Sequence, residues 1–252
     1  MTTILNGDDE MPSGEPEGTT RAEAEYITVL APATATLERR RSIFHGDIAP
    51  VESEDEAWAF LESIKTKYEG ARHYVYAWVT GRRAGYVTSR YSDAGEPRGT
   101  AGQPVLNVLS KNEITDAIIV VTRFFGGILL GRGGLTRAYS AAAAAALQAA
   151  EPVIMLPHTL LNVLLPYSWL EKLNYQIEQT VWQLQETIYG SDVTLKIQVP
   201  SAEAEQALCL IEEWTNGQAI SELTEITKYL PIPLAKVGRE LELDNESEEN
   251  YE

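Results

Sequence analysis

Two glycine-rich stretches hold most of the side chains able to do chemistry. The first runs Tyr91-Ser-Asp-Ala-Gly-Glu-Pro-Arg-Gly-Thr-Ala-Gly-Gln-Pro104. Three glycines and two prolines leading into a helix describe a fixed loop, and Pro97 holds Glu96 extended. Backbone N–H groups in such turns form a concavity suited to anions, and a helix start adds positive dipole. Asp93 and Glu96 put negative charge in the same loop, so two readings stay open. Either they receive those N–H groups themselves, or they face a ligand. The second stretch is Arg123-Phe-Phe-Gly-Gly-Ile-Leu-Leu-Gly-Arg-Gly-Gly-Leu-Thr-Arg137. Gly126 and Gly131 have Walker A spacing, but Arg132 and Gly133 stand where Lys and Ser/Thr would reach phosphate and magnesium. A dinucleotide fingerprint fails as well, because Thr136 takes the last glycine's place. What remains is a backbone-dominated anion site at a helix N-terminus with Arg123, Arg132 and Arg137 beside it, suited to phosphate or an RNA backbone. Gly126 and Gly127 read better as residues that let a helix pack closely.

Catalysis has less support. Ser92, Asp93, Glu96 and His73 contain a nucleophile, an orienter and a base, yet no Gly-x-Ser-x-Gly elbow is present. His45, His73 and His158 lack ligand spacing and Cys209 is the single cysteine, which argues against a metal site, a cofactor cage and a disulfide. A lone thiol, an acidic start without the basic and apolar parts of a signal peptide, and no apolar run long enough to span a bilayer predict a cytoplasmic protein with no membrane contact.

These loops need elements to hold them. The chain predicts strands at 26–30 and 42–49, then a helix capped by Ser53 with Glu54, Asp55 and Glu56 in its first turn. A hairpin at 74–79 and 84–91 follows. A short helix at 103–110 has an ambiguous start, a capping box from Thr100 competing with Pro104 at the first position. An apolar strand at 117–125 and an alanine-rich helix at 135–150, able to pack closely on a sheet, complete this half. Pro152 and Pro157 bracket an expected linker. Beyond it the order is βαββαβ, at 159–165, 168–180, 181–188, 193–199, 202–216 and 220–227, the ferredoxin-like arrangement. The class is therefore α+β. Residues 1–24 and 236–252 are expected as disordered acidic tails, with domains at 25–151 and 158–235.

The net charge of −17 divides unevenly: −6 over 1–36, +2 over 37–150 and −13 over 151–252. A uniformly acidic protein would be repelled by nucleic acid, but a near-neutral middle segment with a local arginine cluster need not be.

Three blocks in order, His73-Tyr-Val-Tyr-Ala-Trp78, Ser92 to Gly102, and Val120 to Tyr139, resemble the signature of the YigZ/IMPACT family. That resemblance implies a first domain folded like the second domain of a small-subunit ribosomal protein. It also implies a second domain like the last domain of elongation factor G, and hence contact with RNA or the ribosome. The eukaryotic members of that family are regulators of translation through a kinase-activating partner and carry an additional N-terminal recognition domain not expected here, so the resemblance does not carry their mechanism over whole. The positions carried over are Ser92, Asp93, Gly95, Glu96, Pro97, Gly99, Thr100, Gly102, Arg123, Gly126, Gly127, Gly131, Gly133, Gly134 and Arg137. Ile43, Ala94 and Arg132 depart from the family pattern; Ala94 removes a second acid and weakens a metal proposal, while Arg132 adds a cation. The expectation is a translation-associated binding protein, the alternative an enzyme or small-anion or metabolite sensor on the same loops.

Overall fold

The computed structural model describes residues 25–82 and 87–243, without the side chains of 225–227. In chain order the first half holds β1 (Tyr26–Thr28), β2 (Ala33–Arg39), β3 (Ser42–Pro50), α1 (Glu54–Lys67), β4 (His73–Thr80), β5 (Thr88–Ser92), α2 (Gly102–Lys111), β6 (Ala117–Phe124) and α3 (Gly131–Ala149). Strands β2-β3-β6-β4-β5 form one sheet with antiparallel neighbours. Its two faces are both covered, which is why β6 reads as a continuous apolar run. Phe44, Gly46 and Ile48 of β3 face α3, whereas Ala49 shares a second core with Leu61 and Ile64 of α1. A Cβ on Gly46 would lie 2.5 Å from the Ala142 carbonyl oxygen. The alanine helix therefore does pack hard against the sheet, as its composition leads one to expect. Helix α1 starts as its sequence predicts, the Glu56 N–H donating to Ser53 Oγ at 3.3 Å behind an acidic first turn.

The second half holds β7 (Val153–Leu165), α4 (Tyr167–Glu178), β8 (Gln183–Tyr189), β9 (Val193–Pro200), α5 (Ala204–Trp214) and β10 (Ile220–Pro233). The expected βαββαβ order is present, in sheet order β8-β9-β7-β10 with antiparallel neighbours. Val193, Leu195, Ile197 and Val199 point into a core shared with Leu173, Ile177 and Ile211 of the two helices.

Several boundaries differ from the sequence reading. Strand β2 was not among the expected elements: its small and polar residues alternate without large apolar partners, as suits an edge strand. Arg40 and Arg41, both at positive φ (47° and 63°), turn the chain into β3, a conformation that their type does not advertise. Helix α3 starts at Gly131, four residues before Leu135, so Gly131, Gly133 and Gly134 form its first turn. The segment between Pro152 and Pro157 is strand, not linker. Ile154 and Ile232 are buried in the first-half core, and Ile154 pairs with both Ile27 and Ile232. β10 runs past Thr227 to Pro233 for the same reason. Part of the segment expected as a disordered tail from 236 is docked. Leu241 packs on the first core, and the Glu242 N–H donates to Asn112 Oδ1 at 2.7 Å. The tail expectations for 1–24 and 244–252, and residues 84–86 of the expected hairpin, lie outside the described residues.

His158 on β7 makes the fold sensitive to acid. Its ring is fully buried, Nδ1–H donates to the Leu156 carbonyl at 2.8 Å, and Nε2 has no partner. Burial holds its pKa below the usual 6.5, against a smaller opposing pull from that hydrogen bond and Glu203. The unfolded chain therefore takes up a proton that the folded chain resists, and stability present above 6.5 drains away as pH falls below it. Urea midpoints at pH 7.5 and 5.5 are expected to fall towards acid, with a smaller fall in His158→Gln; an equal fall in both would refute the assignment.

Candidate functional site

The loop between β5 and α2 is organised by one carboxylate. Asp93 Oδ2 accepts from the Gly99 N–H at 2.8 Å, and Oδ1 accepts from Ala101 and Gly102 at 3.0 and 2.9 Å. Asp93 thereby occupies the helix start that an anion would use, and neither the Thr100 capping box nor Pro104 at the first position is realised. Thr100 instead donates to the Pro97 carbonyl at 2.6 Å, and Ser92 Oγ accepts from the Ala94 N–H at 3.2 Å. Ala94, Gly95 and Gly99 take positive φ, which the tight path requires. His73 closes the loop from β4, Nδ1–H donating to the Ala94 carbonyl at 2.9 Å. Of the two readings open for Asp93, these hydrogen bonds are the ones that the structural reading describes.

Glu96 is also turned inward. Its Oε1 accepts from Arg123 Nη1 at 2.6 Å and from the Tyr139 hydroxyl at 2.8 Å, with both ion-pair side chains almost wholly buried. Burial, then the Glu96 charge, push the Tyr139 phenol far above its ordinary range, so it remains a donor. Arg123 lies 5.5 Å from the Phe44 and Phe125 rings and reaches Ser42 Oγ at 3.4 Å, which in turn accepts from the Gly126 N–H at 3.2 Å. Arg123, placed by the sequence beside an anion site, has its guanidinium paired with Glu96 beneath the surface. The pair ties the first glycine loop to β6 and α3.

What stays exposed is a rim. Arg40 and Arg41 at the β2–β3 turn, Arg98 in the first loop, and Arg132 and Arg137 on α3 are solvent-facing. Arg132 donates to the Arg98 carbonyl at 3.0 Å, and Arg40 approaches the Leu129 carbonyl at 3.5 Å, so three segments meet. Between them the loop 125–130 presents Phe125, Ile128 and Leu129, the last 80% exposed. Gly127 and Gly131 take positive φ with open space around them, while Gly126 lies against the Arg41 backbone. Gly133 and Gly134 lie in the first turn of α3. The sequence reading missed Arg40, Arg41 and Arg98 as neighbours of Arg132. The three consecutive arginines at 39–41 were the available signal, and they needed the unseen β2 to be placed. Among the described residues no three His, Cys, Asp or Glu side chains gather as metal ligands, and no helix is long and apolar enough to cross a membrane.

Fold and site together define an α+β protein of two antiparallel sheets whose first half carries a glycine-loop face with an arginine rim. The Impact N-terminal domain family matches residues 40–147, and a domain of unknown function, DUF1949, matches 163–218. IMPACT family member YvyE of Bacillus subtilis is 34% identical over 80% of this chain and 92% of its own length. IMPACT family member YigZ of Escherichia coli is 31% identical, covering 76% and 94%. Protein IMPACT homolog of Dictyostelium discoideum is 39% identical over 38% of this chain and 28% of its own length. A solved structure described as a hypothetical protein aligns at TM-score 0.50 and 30% identity, covering 80% of this chain and 97% of the other. The chain belongs to the IMPACT family.

Proposed function

We propose that this protein is a translation-associated binding protein of the cytoplasm that contacts RNA or a ribosomal surface through the rim of Arg40, Arg41, Arg98, Arg132 and Arg137. The observation that carries the reading is the meeting of three arginine-bearing segments, where the Arg40 guanidinium reaches the Leu129 carbonyl and that of Arg132 the Arg98 carbonyl, in a chain of net charge −17. Asp93 and Glu96 do not oppose them, since both carboxylates are engaged within the fold. Polyanion attraction needs such a local patch and not a basic protein overall. The family resemblance adds a first domain like the second domain of a small-subunit ribosomal protein beside one like the last domain of elongation factor G, a pairing suited to ribosomal contact. A protein partner in translational control is compatible with the acidic second half. The alternative, an enzyme or small-anion sensor on the same loops, is not favoured, because the acids it would use are already hydrogen-bonded inside.

The test is binding to single-stranded RNA across a salt series. Replacing Arg98 and Arg132 by alanine is expected to flatten the log–log salt slope by roughly 0.7 for each phosphate contact removed. An unchanged slope and affinity in a folded double variant would end this reading.

A further inference from the structure

A second site lies away from the arginine rim. A cleft of about 550 Å³ opens where α4 ends and α5 begins, lined by Glu178, Val181, Trp182, Glu203, Leu210 and Lys236 among others. It sits on the seam between the two halves: Val181 packs against both the first-half and second-half cores. Lys236 belongs to a short 3-10 turn, Leu234–Val237, whose Leu234 is buried in the first core. Seams of this kind are where small-molecule sites recur, and the volume is within the usual range.

The lining is polarised. At one side the C-terminal end of α4, with its partial negative charge, carries the Glu178 carboxylate. Lys236 supplies positive charge from a different element, and among the described residues neither side chain has an ion-pair partner. Glu203 is not equivalent to Glu178, since it accepts from Trp182 Nε1 at 3.3 Å, which fixes the indole as a wall. Trp182 also packs on Trp214, ring centroids 5.4 Å apart, and with Val181 and Leu210 gives the cleft its apolar lining. A cation alone leaves Lys236 opposed, and an anion alone meets two carboxylates. A ligand with both charges and an apolar body satisfies all three parts.

We infer that this cleft binds a free α-amino acid with an apolar side chain, its ammonium towards Glu178 and the α4 end, its carboxylate towards Lys236, and its side chain on Trp182. Because Lys236 hangs from a turn rooted in the first core, occupancy couples that turn to the second half.

Calorimetric titration of the full chain with L-leucine, L-methionine and L-phenylalanine, and with the N-acetyl and carboxamide derivatives of each, tests this. At least one amino acid is expected to bind in the millimolar range or tighter, both of its derivatives about tenfold more weakly. Lys236→Met is expected to weaken the amino acid about tenfold while leaving its carboxamide unaffected, and Glu178→Gln to do the same with the N-acetyl form as the unaffected ligand. Both side chains are exposed, so thermal unfolding of the variants is expected to match the parent. No heat with any of the three amino acids, or variants that bind as tightly as the parent, overturns the inference.

Discussion

Arg123→Ala is expected to destabilise the protein by about 3–5 kcal/mol, read from the urea midpoint at constant slope. The side chain is 6% exposed and the Glu96 carboxylate 4%, with 2.6 Å between their charged atoms. Removing the guanidinium leaves a carboxylate beneath the surface with only the Tyr139 hydroxyl to offset its lost hydration. It also frees Ser42 and the Phe44 and Phe125 faces that the cation covers. The double variant Arg123→Met/Glu96→Gln should lose less than Arg123→Ala alone, because no uncompensated charge remains and the glutamine amide oxygen still accepts from Tyr139. A single variant as stable as the parent would mean that the pair does not hold the loop.

Gly126→Ala is expected to cost about 3 kcal/mol, at the upper end for overpacking, because the obstacle is backbone. A Cβ there would lie 2.0 Å from both the carbonyl carbon and the oxygen of Arg41, and 2.5 Å from the Ser42 nitrogen. No side-chain rotation relieves that contact, so the β2–β3 turn or the loop must move. Gly127→Ala makes the useful contrast. Its Cβ meets open space, but its φ of +83° is unfavourable to alanine, by roughly 1 kcal/mol. Melting temperatures should therefore rank parent, Gly127→Ala, Gly126→Ala. The displaced turn carries Arg40 and Arg41, so Gly126→Ala should also weaken RNA binding if the arginine rim acts as proposed. Equal melting temperatures for the two variants would contradict the close approach.

Much of the site's vocabulary was visible in the chain, but not its grammar. Glycines, prolines and acids at 92–102 marked a fixed loop, and Asp93 was one of two candidates for holding it. Which of its two roles Asp93 plays depends on where the Gly99, Ala101 and Gly102 amides end up, and only the folded loop fixes that. Arg123 and Glu96 are 27 residues apart. Only the pairing of β6 between β3 and β4 aims Arg123 at the loop, so a reading of local chemistry counted it with Arg132 and Arg137 as one cationic group.

Local rules did settle the Ser53 cap with its acidic first turn, the doubly covered run of β6, the close-packing alanine helix and the βαββαβ order of the second half. Each of these follows from periodicity or end chemistry within a dozen residues, where propensity and side-chain direction act without distant partners. The tertiary structure alone decided the edge strand β2, the use of 153–157 as strand, the burial of the Glu96–Arg123 pair and the seam that holds the second cleft. Those depend on contacts between segments far apart in the chain, where long-range burial outweighs the weak local preference of a proline, an arginine or a run of small residues.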